Sequence, residues 1–494
     1  MNPLWRILQF CVGDLLAKTL SFVAFIFLAR MLGVANYGTL EFALSILAYF
    51  LLLGDGGLEF WATREIARGA DIRQLAGQIL PLRLLLAVGA AGALLTLTPF
   101  LPDYPDLKPI LVLFGLMLFT QAANLKWVFM GQERAIRVAQ GLVLGQVVFS
   151  VAVLTFVHSP AGLLLIPILK AAGNLAMAVY FMWRFTSEFG RVQVNLSFRN
   201  ASTTIRSSLS MGAAQGLALL TYNFDAVLLG FMLAPSAVGW YSAAYKPVIV
   251  MLALPVSFFL GLFPVLSRTY SESREEFLQI VTSALRLTST IALPIGVGGI
   301  FLAHPIIHLL FGPAYAKSVL VFQILACSAV PVILRGTYRQ ALRAAGRPNV
   351  DLQCAATSAG INLCLNLLLI PHYGIAGAAV ATLLSEVFWL TAASHSFCRY
   401  IERVSIWPLL MQPAIAAIAM AAGFVLTRGL FWPLQALISL LAYFGVLLLL
   451  SLSKQTFDSR SSKRQSLRNF STEPAGEQSP YSSLVGHVLR IIGR

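Results

Sequence analysis

Fourteen apolar stretches of roughly twenty residues each fill this chain from Phe10 to Leu452, and only short connections separate them. Twenty helical residues rise about 30 Å, the thickness of a bilayer's hydrocarbon core. Inside that core a helix satisfies every backbone hydrogen bond within itself. The expected fold class is therefore all-α integral membrane, with about 14 transmembrane helices. Composition agrees: 58% of the 494 residues are hydrophobic and 11% are charged. A water-soluble chain of this length needs far more polar surface.

The connections set an orientation. One side carries Arg64, Arg68 and Arg73, then Arg134 and Arg137, then Arg184, Arg191, Arg199 and Arg206. The same side continues with Arg268, Arg274, Arg339, Arg343, Arg347, Arg399 and Arg403. The opposite side offers Lys108, Lys317 and Arg428. The positive-inside rule then places both termini in the cytoplasm. Most of the net charge of +15 is this asymmetry. Basic residues scattered over many short loops are not a nucleic-acid footprint. The first apolar stretch contains Asp14 and Lys18 and lacks a small-residue cleavage site, so no cleaved signal peptide is expected. Cys11, Cys327, Cys354, Cys364 and Cys398 lie in or beside spans without metal-ligand spacing and read as packing residues.

The longest inner connection divides the chain. Residues 1–186 form a first six-span block, 187–207 a cytoplasmic linker and 208–398 a second six-span block. Residues 399–453 hold two appended spans, and 454–494 form a polar tail. The tail's composition predicts disorder, ending in a short basic amphipathic stretch, Leu484–Arg494. Met31-Leu32, Gly38 and Ala43 match Met232-Leu233, Gly239 and Ala244 at one constant offset. Gly131 and Ala161-Gly162 match Gly346 and Ala376-Gly377 at another. Six spans per repeat preserve orientation, so the blocks should be related by an axis along the membrane normal. A substrate path then belongs between them.

Several chemistries lack their residues. No GxxxxGK[ST] phosphate loop, HExxH motif or DxD-like acidic cluster occurs, and no connection is long enough to hold an enzyme domain. His304 and His308 share a helical face near the outer surface and read as interfacial packing. Neither a cofactor nor a metal is expected, and transport remains.

Charges at membrane depth are costly unless paired or bathed in a wet cavity. The embedded cations are Lys18, Arg30, Arg83, Lys126, Lys170, Lys246, Arg286 and Arg335; the acids are Asp14, Glu41, Asp55, Glu59, Asp225 and Glu386. Cations prevail, which suits an anionic cargo. Expected ion pairs are Asp14–Lys18, four apart on one face, Arg30–Glu41 and Asp225–Lys246. Arg83 and Arg286 are close enough to the cytoplasm to snorkel. Arg335, Arg339 and Arg343 form a four-residue stripe climbing into the membrane, and guanidinium forks grip phosphate oxygens. Arg335 and Arg339 are thus candidate cavity cations. Lys18, Lys126, Lys170 and Lys246 are candidates for the same cavity.

From Leu28 to Arg68 the chain reads LARMLGVANYGTLEFALSILAYFLLLGDGGLEFWATREIAR. That order of a leucine-glycine turn, YG, a long apolar run, D-x-GL and a basic REIAR segment resembles the opening of bacterial polysaccharide-export flippases. Phe224–Lys246 (FDAVLLGFMLAPSAVGWYSAAYK) is similar to a later segment of the same family. So are FGPAY at Phe311–Tyr315, AAGRP at Ala344–Pro348 and NLCLNLLLIPHYGIAGAAVAT at Asn362–Thr382. These are the O-antigen and exopolysaccharide flippases, within the superfamily that includes multidrug and toxin extrusion transporters. The resemblance implies two six-helix bundles in a V-shaped arrangement around a cavity. The implied cargo is a polyprenyl-pyrophosphate-linked oligosaccharide, moved from inner to outer leaflet of the bacterial inner membrane. Implied partners are that lipid-linked glycan, membrane lipids and a glycan polymerase or other export proteins. Asp55 and Asp225 carry over by motif, as coupling or structural acids. A lipid II flippase and a cation-coupled multidrug antiporter are the alternatives. A membrane-embedded polymerase or ligase would need a large outer loop, which is absent here.

Overall fold

A computed structural model describes residues 3–193, 198–404 and 406–468. The described residues are helical nearly throughout and contain no strand. The helices are α1 (Pro3–Asp55), α2 (Leu58–Ala67), α3 (Ile72–Leu97), α4 (Leu107–Phe114), α5 (Leu116–Ala122), α6 (Lys126–Gly131), α7 (Ala135–Phe156) and α8 (Leu165–Phe189). They continue as α9 (Phe198–Met232), α10 (Pro235–Glu272), α11 (Arg274–Phe311), α12 (Ser318–Ala344), α13 (Pro348–Tyr400), α14 (Trp407–Leu426) and α15 (Trp432–Arg468). The expected amphipathic end, Leu484–Arg494, lies outside the described residues.

Eleven segments among the described residues are long and apolar enough to cross a membrane. Two of them are double. α1 breaks at Gly33 (φ 73, ψ 171) and α13 at Gly374 (φ 57, ψ −134), backbone angles that only glycine adopts without strain. Each is two spans joined by a tight turn, and α9 adds another helix of membrane length, 35 residues. Fourteen spans result. The 107–131 span is a chain of three short helices rather than one. The duplication seen in sequence falls on these junctions: Gly33 lies one residue past Met31-Leu32, and the α9–α10 break follows Met232-Leu233.

Side chains that a soluble protein would hide are exposed in rows. Leu84, Leu85 and Val88 on α3 are half exposed, and Ile418 and Leu426 on α14 more so. Such faces are at home against lipid tails. Among the described residues, those up to Tyr443 form one compact unit, and those from Phe444 on are a second. In the second, Phe444, Leu448, Leu449 and Leu452 are exposed, the same pattern.

Within the larger unit the first and second blocks meet at both ends of the spans. At the end expected to face outward, the glycines matched by the internal repeat touch one another. A Cβ on Gly38 would sit 1.8 Å from the Pro235 carbonyl oxygen, and one on Gly239 would sit 2.3 Å from that of Val34. Polar bonds reinforce this end. Arg30 Nε donates to the Leu310 carbonyl at 2.7 Å and its fork also reaches Leu309, while Tyr315 Oη donates to the Ala29 carbonyl at 2.8 Å. At the opposite end Gly57 (φ 80) abuts α9, where a Cβ would meet Gly212 N at 2.4 Å, and Ser208 Oγ donates to the Gly56 carbonyl at 2.9 Å.

Candidate functional site: a cationic cleft between α1 and α10

Most embedded charges are engaged in pairs, and locating the remainder defines the site. In the first block, left-handed Gly56 and Gly57 turn the chain sharply between α1 and α2 and bring Asp55 beside Glu59. Arg83, 1% exposed, reaches Asp55 at 3.0 Å, Glu59 at 3.8 Å and the Asn124 carbonyl at 2.8 Å. Lys126 Nζ meets Glu59 at 2.7 Å. Two acids and two cations balance here. This corrects the expectation that Arg83 snorkels to water: two buried carboxylates hold it inside. Lys126 is likewise held by Glu59 and is not among the described residues that line the cleft below. Arg286 is exposed, as its position near the cytoplasm suggested.

The arginine stripe on α12 faces α13. Arg335, 2% exposed, makes a two-pronged bond to Glu386, at 2.5 and 3.1 Å, and stacks 3.6 Å over the Trp389 ring. Arg339 Nε donates to Asp351 at 2.8 Å and stacks on the other reach of Trp389, at 4.5 Å, and Arg343 Nε donates to Asp351 at 2.6 Å. The four-residue spacing on one face is real, but acids at matching heights on α13 receive the forks. The cavity role expected for Arg335 and Arg339 is revised accordingly, to a bridge between two helices.

Two further pairings differ from expectation. Arg30 does not bond to Glu41. Its guanidinium caps the C-terminal carbonyls of α11, the negative end of a helix. Asp225 does not pair with Lys246 either. Tyr241 and Lys246 are five residues apart on α10, hence rotated by about 140°. Tyr241 faces Asp225, and Lys246 faces α1. Asp225 is 6% exposed and accepts hydrogen bonds at 2.7 Å from each of Tyr241 Oη, Asn366 Nδ2 and Thr382 Oγ1. Asn362 backs Asn366 at 3.0 Å. No cation lies within 4 Å of this carboxylate among the described residues. Asn362 and Asn366 were missed in sequence, although two amides four apart inside an apolar span are a legible sign of one polar face.

What remains is a cleft of about 210 Å³ between the first half of α1 and α10, lined by Lys18, Phe22 and Phe25 on one side and Lys246 and Ile249 on the other. Lys18 pairs with Asp14 at 2.6 Å, as the four-residue spacing predicted, and both are substantially exposed. Lys246 Nζ sits 2.8 Å from Glu41 Oε1 and 3.8 Å from the centroid of the Phe25 ring. Behind Phe25, Lys170 on α8 lies 4.2 Å from the Phe149 ring and 5.9 Å from Phe25, with the Gln146 side-chain oxygen at 3.4 Å. No carboxylate lies within 4 Å of Lys170 among the described residues. Phe25 thus separates two ammonium groups, one paired with an acid and one not.

The fold and this basic cleft define a multi-pass membrane protein of the transporter class. Residues 7–270 match the family described as "Polysaccharide biosynthesis protein", more than half of the chain, and the chain belongs to that family. A "Probable flippase AglR" of Haloferax volcanii is 29% identical over 206 residues, 40% of this chain and 43% of that protein. The chain therefore spans less than half the length of this relative. A "Putative O-antigen transporter" of Escherichia coli K12 is 21% identical over 325 residues, 65% of this chain and 78% of that protein. Among solved structures, "Lipid II flippase MurJ, inward closed conformation" superposes with a TM-score of 0.76 at 13% identity, covering 89% of this chain and 98% of that one. An inward-facing multidrug resistance MATE family transporter gives 0.65 at 15% identity, covering 79% and 95%. At these identities the two structures speak to fold.

Proposed function

We propose that this chain is an alternating-access flippase. It moves a polyprenyl-pyrophosphate-linked oligosaccharide from the cytoplasmic to the outer leaflet of a bacterial inner membrane, for surface polysaccharide assembly. The observation that carries this reading is Lys170: a cation at membrane depth with no carboxylate beside it, next to a cleft that also offers Lys18 and Lys246. An unpaired buried cation is costly, and an anionic ligand removes that cost. A pyrophosphate supplies the anion, its sugars occupy the polar gap between the blocks, and its prenyl tail stays in lipid. The sequence relatives named above, a flippase and an O-antigen transporter, support the same class of cargo. A drug antiporter for organic cations would favour the opposite charge in the cleft.

In this reading residues 1–186 and 208–398 are the two moving bundles, residues 187–207 link them, and 399–453 are accessory spans. Both termini lie in the cytoplasm. Lys18, Lys170 and Lys246 face the cargo, while Arg335, Arg339, Lys126 and Asp55 hold helices together. Asp225 is the coupling acid: a carboxylate buried among neutral donors is a place for a proton or a small cation. The test is complementation of a strain lacking its own glycan flippase, with surface glycan normalised to membrane protein. Lys170→Gln is expected to reduce export about tenfold or more with abundance retained. Wild-type export by a normally expressed Lys170→Gln protein would refute the assignment.

A further inference from the structure

The flippase reading leaves one contact unexplained: the cleft's best-placed cation is already occupied. Glu41 belongs to the first block and Lys246 to the second, so their 2.8 Å ion pair ties the blocks together beside the cleft. Both side chains are largely buried, at 12% and 19% exposure, where an ion pair holds firmly. Tyr37 lies one turn before Glu41 on the same helical face. It is fully buried, and its hydroxyl lies within reach of the Glu41 carboxylate. Its ring packs edge-on against Tyr315 at 6.2 Å, and Tyr315 bonds to the Ala29 carbonyl beside Arg30, at the end expected to face outward.

We propose that Glu41 is an internal stand-in for the cargo's anionic group. It holds Lys246 while the carrier is empty and keeps the outward end shut. An arriving pyrophosphate takes Lys246, and Glu41 is left on the Tyr37 hydroxyl beside it, one turn away. The inter-block tie is then broken from within, and the Tyr37–Tyr315 contact passes that change to the Ala29–Arg30 seam. Glu41 thereby couples opening to occupancy. This proposal rests on the flippase reading, and the experiment separates the two.

The full chain is reconstituted in nanodiscs of neutral lipid, and binding of polyprenyl pyrophosphate is measured, with inorganic pyrophosphate as a second probe. Glu41→Gln removes the competitor, and binding is expected to tighten about tenfold, whereas Lys170→Gln weakens it. Tightening for both probes identifies the phosphate groups as the competing chemistry; tightening for the lipid probe alone means that the tail is needed to seat them. A second readout uses Ala29→Cys in a background with the five native cysteines replaced by serine, labelled by a membrane-impermeant maleimide. Labelling is expected to rise severalfold on adding the lipid probe. In the pair Glu41→Ala with Lys246→Ala, which leaves neither charge stranded and puts no apolar contact in place of the pair, labelling is expected to be high without probe. Binding to the parent protein that is unchanged or weaker in Glu41→Gln would overturn this proposal alone, as would a double variant labelled at the empty parent's rate. No binding of either probe to the parent or to Glu41→Gln would overturn the cargo reading and this proposal with it.

Discussion

Charge at membrane depth was legible from the sequence residue by residue; partnership was only partly so. Asp14–Lys18 follows from a four-residue spacing because both ends sit on one helix. Arg30–Glu41 and Asp225–Lys246 fail because equal depth on two helices says nothing about which way each side chain points around its axis. The stripe at Arg335, Arg339 and Arg343 was read at the correct spacing, yet its partners Glu386 and Asp351 come from a different helix whose rotation was hidden. This arrangement makes a prediction opposite in kind to that for Lys170. Arg335→Ala strands Glu386 in a dry site and is expected to cost about 3–5 kcal/mol, seen as loss of membrane abundance and a lowered Tm. Arg335→Met with Glu386→Met is expected to recover most of that loss. A double variant as depleted as the single one would show that the forks do more than hold α12 to α13. At Asp225 the substitution Asp225→Asn keeps size and one acceptor oxygen, for Asn366 Nδ2, and puts an NH2 donor where the Tyr241 and Thr382 hydroxyls can turn to accept. It is expected to leave abundance near normal while abolishing dependence of export on the membrane ion gradient, measured in vesicles with imposed gradients.

Elements were more legible than pairs. Apolar length alone located the spans, and the repeated Met-Leu and Gly positions marked where two of them turn. One feature escaped: the 107–131 span is broken into three short helices, whereas the breaks at Gly33 and Gly374 fall where the apolar pattern already separated two spans. Gly33 and Gly239 separate two demands on glycine. A Cβ on Gly33 would meet nothing within 4 Å, so Gly33→Ala suffers only from its backbone of positive φ and extended ψ, about 1–3 kcal/mol, and is expected to fold with a lowered Tm. Gly239 lacks that backbone strain but faces the Val34 carbonyl, where a Cβ would lie at 2.3 Å. Gly239→Val is expected to fold, hold the blocks apart at that end and raise Ala29→Cys labelling. Unchanged labelling in a well-expressed Gly239→Val protein would mean that the crossing does not seal the outward end.

At the scale of the whole molecule, loop charge makes the orientation testable. Reporter fusions after Gly69, Arg191 and Arg347 are expected to read cytoplasmic, and fusions at Tyr104, Ser159 and Tyr373 to read outside. A cytoplasmic reading at Tyr104 or Tyr373 in a stable fusion would break the fourteen-span orientation. The same fusions fix which end of the unit carries the Gly38–Gly239 crossing. That crossing joins the two positions that the constant offset in the sequence matches. Each glycine lies against the main chain of the opposite block: a Cβ on Gly38 would meet the Pro235 carbonyl, and one on Gly239 the Val34 carbonyl. Neither position can enlarge while the blocks stay closed, and no compensating trim is available, because the obstacle is a backbone carbonyl and not a side chain. Two halves of a chain are ordinarily free to drift apart in sequence; here a residue in each is held small by the path of the other's main chain.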